Sequence, residues 1–273
     1  MEIHQHETFR PSIKGLIKIN KPDQPIRPVV NRRSAPAYKL SKLFTNKINH
    51  LIPLPNAFII KNTQDSIQDI KDTPMLPHFS LASLDITNLY TNIPVKRQEN
   101  ILAGMMKRKL VDPKTQQEIL KWWDVITKQN YFTYDKDIII QHDGLAMGTP
   151  SLGLFAEIFL QHIEHLHLAH LAHKHSIMNY CRCVDGILLI FDSNRTNMQT
   201  ILNDFNAMRP KLQITAEAER DRTLNCLYIS IHRSPHKHQN RHIQKTRLHR
   251  HHHPLQLQPS HTPQILGSQV PVQ

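Results

Sequence analysis

The sequence predicts an α+β domain with helices on one face of a small sheet. Three observations predict it. Two apolar, strand-like runs that each carry an acid, residues 79–85 and 184–191, lie far apart in the chain. Between them falls a long amphipathic stretch, residues 150–175, with a helical period. No repeat of fixed period occurs, which excludes solenoid and propeller architectures.

The elements follow in chain order. In residues 15–30 short apolar pairs alternate with basic residues and prolines, the pattern of a two-stranded ribbon turning at Pro22 to Pro25. Leu40, Leu43, Phe44 and Ile48 recur at helical spacing within residues 37–51, and Pro53 and Pro55 end that helix. A second helix is expected from Thr63, as its N-cap, to Ile70. Residues 79–85, Phe-Ser-Leu-Ala-Ser-Leu-Asp, read as a buried strand that ends on Asp85. Residues 98–123 are helical with a break at Asp112 and Pro113, and residues 131–141 read as a hairpin. Pro150 opens the long helix to His175, whose apolar face is formed by Leu154, Phe155, Ile158, Phe159, Ile163 and Leu166. Residues 184–191 give a second strand with an acid near its start, and residues 224–231 a third.

Composition narrows the function classes. The chain of 273 residues is long enough to bury a core without disulfides. Its 34 Lys and Arg against 22 Asp and Glu give a net charge of +12, which points to a polyanionic partner, most simply nucleic acid. Half of that charge lies from residue 232 onward, where six basic residues and nine His stand with no acid. This Gln-, Pro- and His-rich tail has no Phe, Tyr or Trp and only scattered β-branched residues, and is expected to be disordered, from 236 to 273. Cys181, Cys183 and Cys226 lack zinc-ribbon spacing and suit a reducing compartment. The longest apolar run, residues 187–191, is far short of the roughly 18–20 residues of a bilayer-spanning helix. The N-terminus carries His and Glu in place of an apolar signal core, so an intracellular protein is expected.

Asp85 and Asp185 each sit on a strand beside turn-forming residues, where neighbouring strands can bring them together. Facing carboxylates repel unless a cation intervenes. Phosphoryl transfer commonly uses two Mg²⁺ held by such acids, about 3.5–4 Å apart, to activate a hydroxyl and stabilise the leaving group. Between the two acids, residues 144–150, Gly-Leu-Ala-Met-Gly-Thr-Pro, form a glycine turn entering a helix. An isolated strand-end Asp is ordinarily a turn or cap residue. Order and local wording set these two apart.

Residues 83–94 (Ser-Leu-Asp-Ile-Thr-Asn-Leu-Tyr-Thr-Asn-Ile-Pro), residues 143–150 followed by Phe-Ala-Glu-Ile-Phe at 155–159, and residues 183–190 (Cys-Val-Asp-Gly-Ile-Leu-Leu-Ile) resemble the three central palm motifs of reverse transcriptases, in the form found in Penelope-like retroelements. Residues 15–30 resemble that family's fingers ribbon, residues 54–62 its next motif, and residues 224–231 the strand that closes the palm. The resemblance spans about residues 10–233 and implies the fingers (1–78) and palm (79–235) of a right-hand polymerase with the thumb missing. It implies an RNA-directed DNA polymerase working with two Mg²⁺, or with Mn²⁺, on an RNA template, a DNA primer and deoxynucleoside triphosphates, at a nuclear site and without a membrane. Residue by residue, Asp85 and Asp185 match the metal-binding acids, with the Ile86 carbonyl as a third ligand. Tyr90 matches the aromatic that rejects a 2′-hydroxyl. Gly144, Met147, Gly148 and Pro150 match the loop under the templating base pair, and Lys21 and Arg27 match basic fingers residues that hold the triphosphate.

The match breaks at chemically important positions. Gly186 stands where the family has a second adjacent aspartate, Cys183 and Cys226 where it has aromatics, and Tyr228 where it has an acid. Residues 151–153, Ser-Leu-Gly, replace the usual Leu-Ser-Pro. The substitutions at 183, 186, 226 and 228 can each arise from a single nucleotide change, and the tail suits a message read in a shifted frame, so this copy is expected to be impaired or inactive. The alternative is a non-catalytic nucleic-acid-binding remnant, for which charge suffices. A histidine-based zinc protein fits less well: His162, His165, His167, His170, His173 and His175 crowd one helix without an HExxH arrangement and read as a solvated face.

Overall fold

The computed structural model describes residues 10–17, 26–33, 35–60, 63–145, 147–226, 229–233 and 243–247. The elements run β1 (Ser12–Ile17), β2 (Ile26–Asn31), α1 (Ala37–Leu51), α2 (Thr63–Asp72), β3 (Phe79–Thr87), α3 (Leu89–Asn92), α4 (Val95–Arg108), α5 (Pro113–Lys128), β4 (Tyr131–Tyr134) and β5 (Asp137–Ile140). They continue with α6 (Leu152–Lys174), β6 (Ile177–Cys183), β7 (Gly186–Asp192), α7 (Met198–Ala207), β8 (Gln213–Ala218), β9 (Thr223–Cys226), β10 (Ile229–Arg233) and β11 (Ile243–Arg247). None of these helices is long and apolar enough to cross a membrane.

The central sheet has the order β6-β7-β3-β8, with every neighbouring pair antiparallel. Side chains alternate across a strand, and both faces are covered. Ala82, Leu84 and Ile86 of β3 and Ile187, Leu189 and Phe191 of β7 join the core shared with α1 and α4 to α7. Phe79 and Leu81 of β3 and Leu188 and Ile190 of β7 face the other way, against Ile70 of α2 and Leu224, Ile229 and Ile231 of β9 and β10. Phe44, Trp123 and Phe155 knit α1, α5 and α6 together with ring centroids 4.4–6.2 Å apart. At this junction Ser41 and Ser151, both fully buried, meet hydroxyl to hydroxyl at 2.8 Å, and the Ser151 N–H donates back to Ser41 Oγ at 3.0 Å. The orphan N–H at the start of α6 is thereby satisfied.

A second sheet, β2-β1-β4-β5, joins the N-terminal ribbon to the 131–140 hairpin, so it crosses the boundary expected at residue 78. The Thr133 N–H donates to the Pro11 carbonyl at 2.7 Å where the two hairpins meet.

Several expectations are corrected. β3 runs two residues past Asp85 to Thr87. Thr63 lies inside α2, not at its cap, and α6 starts at Leu152, not at Pro150. Leu166 is 51% exposed because its position drifts off the buried stripe of a helix this long. Val184 and Asp185 are the turn of the β6–β7 hairpin and not a strand, and β6 precedes them as a further strand of the sheet. In place of one strand over 224–231, residues 224–226 and 229–231 belong to two antiparallel strands, β9 and β10, outside the central sheet, whose outer strand is β8. Within the stretch expected to be disordered, Ile243–Arg247 forms β11 on β10. The rest of that tail, like Lys21 and Tyr228, lies outside the described residues.

Candidate active site

Strand pairing brings the two predicted acids together. β3 and β7 run antiparallel with Asp85 directly opposite Gly186, and the Ile86 N–H donates to the Asp185 carbonyl at 2.9 Å. A strand residue points its N–H and C=O to the same side, so the Ile86 carbonyl also faces the β6–β7 hairpin. Asp85 has the parity of Phe79, Leu81 and Ser83, which places it on the sheet face away from α6. Cys183 shares that face with Cys181, and Glu217 shares it as the partner of Ser83 on β8. Asp85 is exposed and Asp185 half-buried.

Charge on the neighbours records this acidity. Burial raises the Tyr90 phenol, the charges of Asp185 and Glu157 raise it further, and Arg27 partly offsets them. Arg27, exposed on β2 of the ribbon, therefore lies within electrostatic reach of the same spot. Burial, then Asp185, raises the Cys183 thiol. Burial holds the Cys226 thiol up at about 11, opposed by a hydrogen bond with Ser83 and reinforced by Glu217, Cys183 and Asp85.

The glycine loop is built against this site. Gly144 is buried with φ of +80°, and a Cβ there would lie 2.2 Å from the Thr91 carbonyl oxygen. The next residue, Leu145, donates its N–H to the Tyr90 carbonyl at 2.7 Å. Gly148, with φ of +97°, would place a Cβ 2.0 Å from the Val30 carbonyl of β2. Any side chain at either position collides with backbone, so the loop is clasped between the Tyr90 segment and the ribbon. Met147 and Pro150 are half-buried in it. Asp143, just ahead, is held below the usual carboxylate range by its hydrogen bond with Lys211 at 2.9 Å.

The hairpin rests on a network that sequence reasoning missed. Arg182, fully buried on β6, donates to Glu164 from Nε at 2.6 Å and from Nη2 at 3.3 Å, to Glu157 from Nη1 at 3.0 Å and Nη2 at 2.9 Å, and to the Val184 carbonyl at 2.9 Å. The Tyr180 hydroxyl donates to Glu164 at 2.9 Å. Burial alone would lower the guanidinium; the two glutamates outweigh it and hold Arg182 firmly charged. The sequence signal was a lone Arg between two strand cysteines, with Glu157 and Glu164 seven residues apart on one face of α6. Arg182 also anchors residues 58–60: its N–H donates to the Phe58 carbonyl and its carbonyl accepts from Ile60, both at 2.9 Å.

The donors at the hairpin are hard oxygens, two carboxylates and one carbonyl, the chemistry that suits Mg²⁺. Gly186 adds no third carboxylate, and no group of three or more metal-ligating side chains forms among the described residues.

No family model and no curated protein matches the chain. Solved structures do. Apo telomerase from Candida tropicalis superposes with a TM-score of 0.60 at 11% identity, over 85% of this chain and 48% of that one. The BmCPV RNA-dependent RNA polymerase at its elongation state gives 0.57 at 13% identity, over 81% and 21%. The RNA-dependent RNA polymerase of a human picobirnavirus gives 0.52 at 12%, over 81% and 42%. The chain thus spans less than half the length of each of these three proteins. Its α+β fold is that of polymerase fingers and palm.

Proposed function

We propose that the chain is the fingers and palm of an RNA-directed DNA polymerase from a Penelope-like retroelement, impaired in this copy. The observation that carries the reading is the β3–β7 pairing, which sets Asp85 opposite Gly186 and next to Asp185. Asp85, Asp185 and the Ile86 carbonyl would hold Mg²⁺, which when bound lowers the pKa of a primer 3′-hydroxyl and offsets charge on the leaving pyrophosphate. Tyr90 stands beside the acids to exclude a 2′-hydroxyl from the incoming deoxynucleotide. Arg27, with Lys21, draws the triphosphate in. The loop of Gly144, Met147, Gly148 and Pro150 supports the templating base pair of an RNA strand. A nuclear site of action follows from the same resemblance.

A second reading, a nucleic-acid binder without catalysis, draws on Gly186, which leaves the metal donors one carboxylate short. Primer extension by the purified chain on an RNA template, with Mg²⁺ and separately with Mn²⁺, decides between them. Extension that Asp85→Ala abolishes and Gly186→Asp increases supports the polymerase. Absence of extension in both the natural chain and Gly186→Asp, with RNA binding retained, favours the binder.

A further inference from the structure

The helix layer on the far side of the central sheet carries charge that the carboxylate site does not use. An open groove of about 640 Å³ runs between α4 and α6, lined by Arg97, Ile101, Gly104 and Arg108 from one helix and His162 from the other. Four of the six α4 residues that line it, Arg97, Ile101, Gly104 and Arg108, recur at i, i+4, i+7 and i+11, one stripe of the helix, and Lys96 at its edge is paired with Glu99 at 2.9 Å. Arg209, just past α7, belongs to the same cluster. Burial first, then Arg97, Arg108, Arg209 and His165, lowers the His162 imidazole. Burial, Arg209, Arg97 and His170 lower His167, and burial and Arg97 lower the Arg209 guanidinium. The charged neighbours acting on these groups are guanidiniums and imidazoles. Their polar atoms are also incompletely used: Arg209 Nε and His167 Nε2 are shut off from solvent and reach no hydrogen-bond partner among the described residues.

Elsewhere in the fold Lys47, Lys174, Lys211 and Arg233 each meet a carboxylate within 2.9 Å. Arg97, Arg108 and Arg209 form no ion pair among the described residues. Gly104 sharpens the contrast. A helix interior disfavours glycine, and packing does not require it here, because a Cβ would meet only Arg108 Nη1 at 3.6 Å, an ordinary contact. What the missing side chain does is keep the groove floor open.

We infer that this groove binds the phosphate backbone of single-stranded nucleic acid, on the face of the palm opposite Asp85 and Asp185. Guanidiniums at both ends of a stripe about 16 Å long suit a repeating anion better than one isolated phosphate, and guanidinium forks suit phosphate oxygens. The site does not depend on catalysis, so it stands or falls apart from the polymerase reading.

The test is fluorescence anisotropy with the full chain and a labelled oligouridylate of about 20 nucleotides over a salt series. Arg97→Ala with Arg108→Ala should weaken binding roughly tenfold and flatten the slope of log K against log salt by about 0.7 for each lost contact. Gly104→Leu fills the floor while favouring the helix, so it should lose affinity without a lower Tm. Unchanged affinity and slope in both variants would overturn the inference, and so would displacement of the RNA by polyglutamate as effectively as by unlabelled RNA. Loss of binding in these variants, with primer extension absent throughout, would sink the polymerase reading and leave the groove standing.

Discussion

The two faces of the β6–β7 hairpin have been treated differently. On the face toward Asp85 the chemistry is thin: Gly186 and Cys183 flank Asp185, and Cys226 lies beneath Ser83. On the face toward α6 the Arg182, Glu157, Glu164 and Tyr180 network is complete, with six hydrogen bonds of Arg182 and Tyr180 at 3.3 Å or less. A buried ion network must be complete, because a partner left alone in a low-dielectric interior costs several kcal/mol. Exposed positions carry no such penalty. Asp85 is exposed on its face, so a substitution there should leave folding intact.

The largest effect should therefore come from the buried face. Arg182→Ala leaves Glu164 buried without its partner and should cost about 3–5 kcal/mol in urea unfolding, whereas Asp85→Ala should change stability by less than about 1 kcal/mol. Equal losses would erase the distinction between the faces. The next effect comes from Cys226, whose thiol stands at about 11 in the fold against roughly 8.5 when unfolded. Below about pH 8.5 both states keep the proton and the stability is fully present. As pH rises toward 11 the unfolded thiol ionises first, which favours unfolding. The natural chain should lose roughly 2–3 kcal/mol more than Cys226→Ala across that window. Parallel pH curves for the two proteins would show that the acids and the burial around this thiol do not act on it.

The elements that local periodicity specifies were legible in the sequence. The ribbon, α1, the α4–α5 break at Asp112 and the 131–140 hairpin each follow from turn residues and apolar spacing within one segment. The meeting of Asp85 with Asp185 was legible through motif order and not through local pattern. β6 was not, because Ile-Met-Asn-Tyr-Cys-Arg-Cys places a buried Arg where alternation expects an apolar residue, and its partners lie on a helix. β8 hid for a related reason: Gln-Ile-Thr-Ala-Glu-Ala is short and mostly polar on its outer face. The split between β9 and β10 left no turn signal, because the two positions between them are Leu227 and Tyr228 and neither is Gly or Asn. The basic groove was visible only as scattered charges on α4 and as histidines that read as a solvated face, since its stripe needs both helices in place.

Adding a carboxylate beside Asp185 gives a smaller shift. Gly186→Asp sets a carboxylate directly across from Asp85, and facing like charges should lower stability by about 1 kcal/mol without divalent cations. Millimolar Mg²⁺ should then raise the Tm of Gly186→Asp more than that of the natural chain. An equal response to Mg²⁺ would mean that the hairpin acids do not share a cation.

The smallest effect lies where the two faces join. Val184, a β-branched residue at the first position of the hairpin turn, has φ of +58°, a region in which its Cβ crowds the backbone by about 1–2 kcal/mol. Its carbonyl is tied down by Arg182 at 2.9 Å, so the complete face holds the strained turn that presents Asp185. Asn tolerates this conformation, and Val184→Asn should raise stability by about 1 kcal/mol while leaving the Arg182 contacts in place. In Arg182→Ala, where nothing holds the Val184 carbonyl, the same substitution should gain less, because a turn released from that hydrogen bond can already relax. Equal gains in both backgrounds would mean that the strain belongs to the two-residue turn alone, and that the network beneath it sets the stability of the hairpin without setting the conformation of its tip.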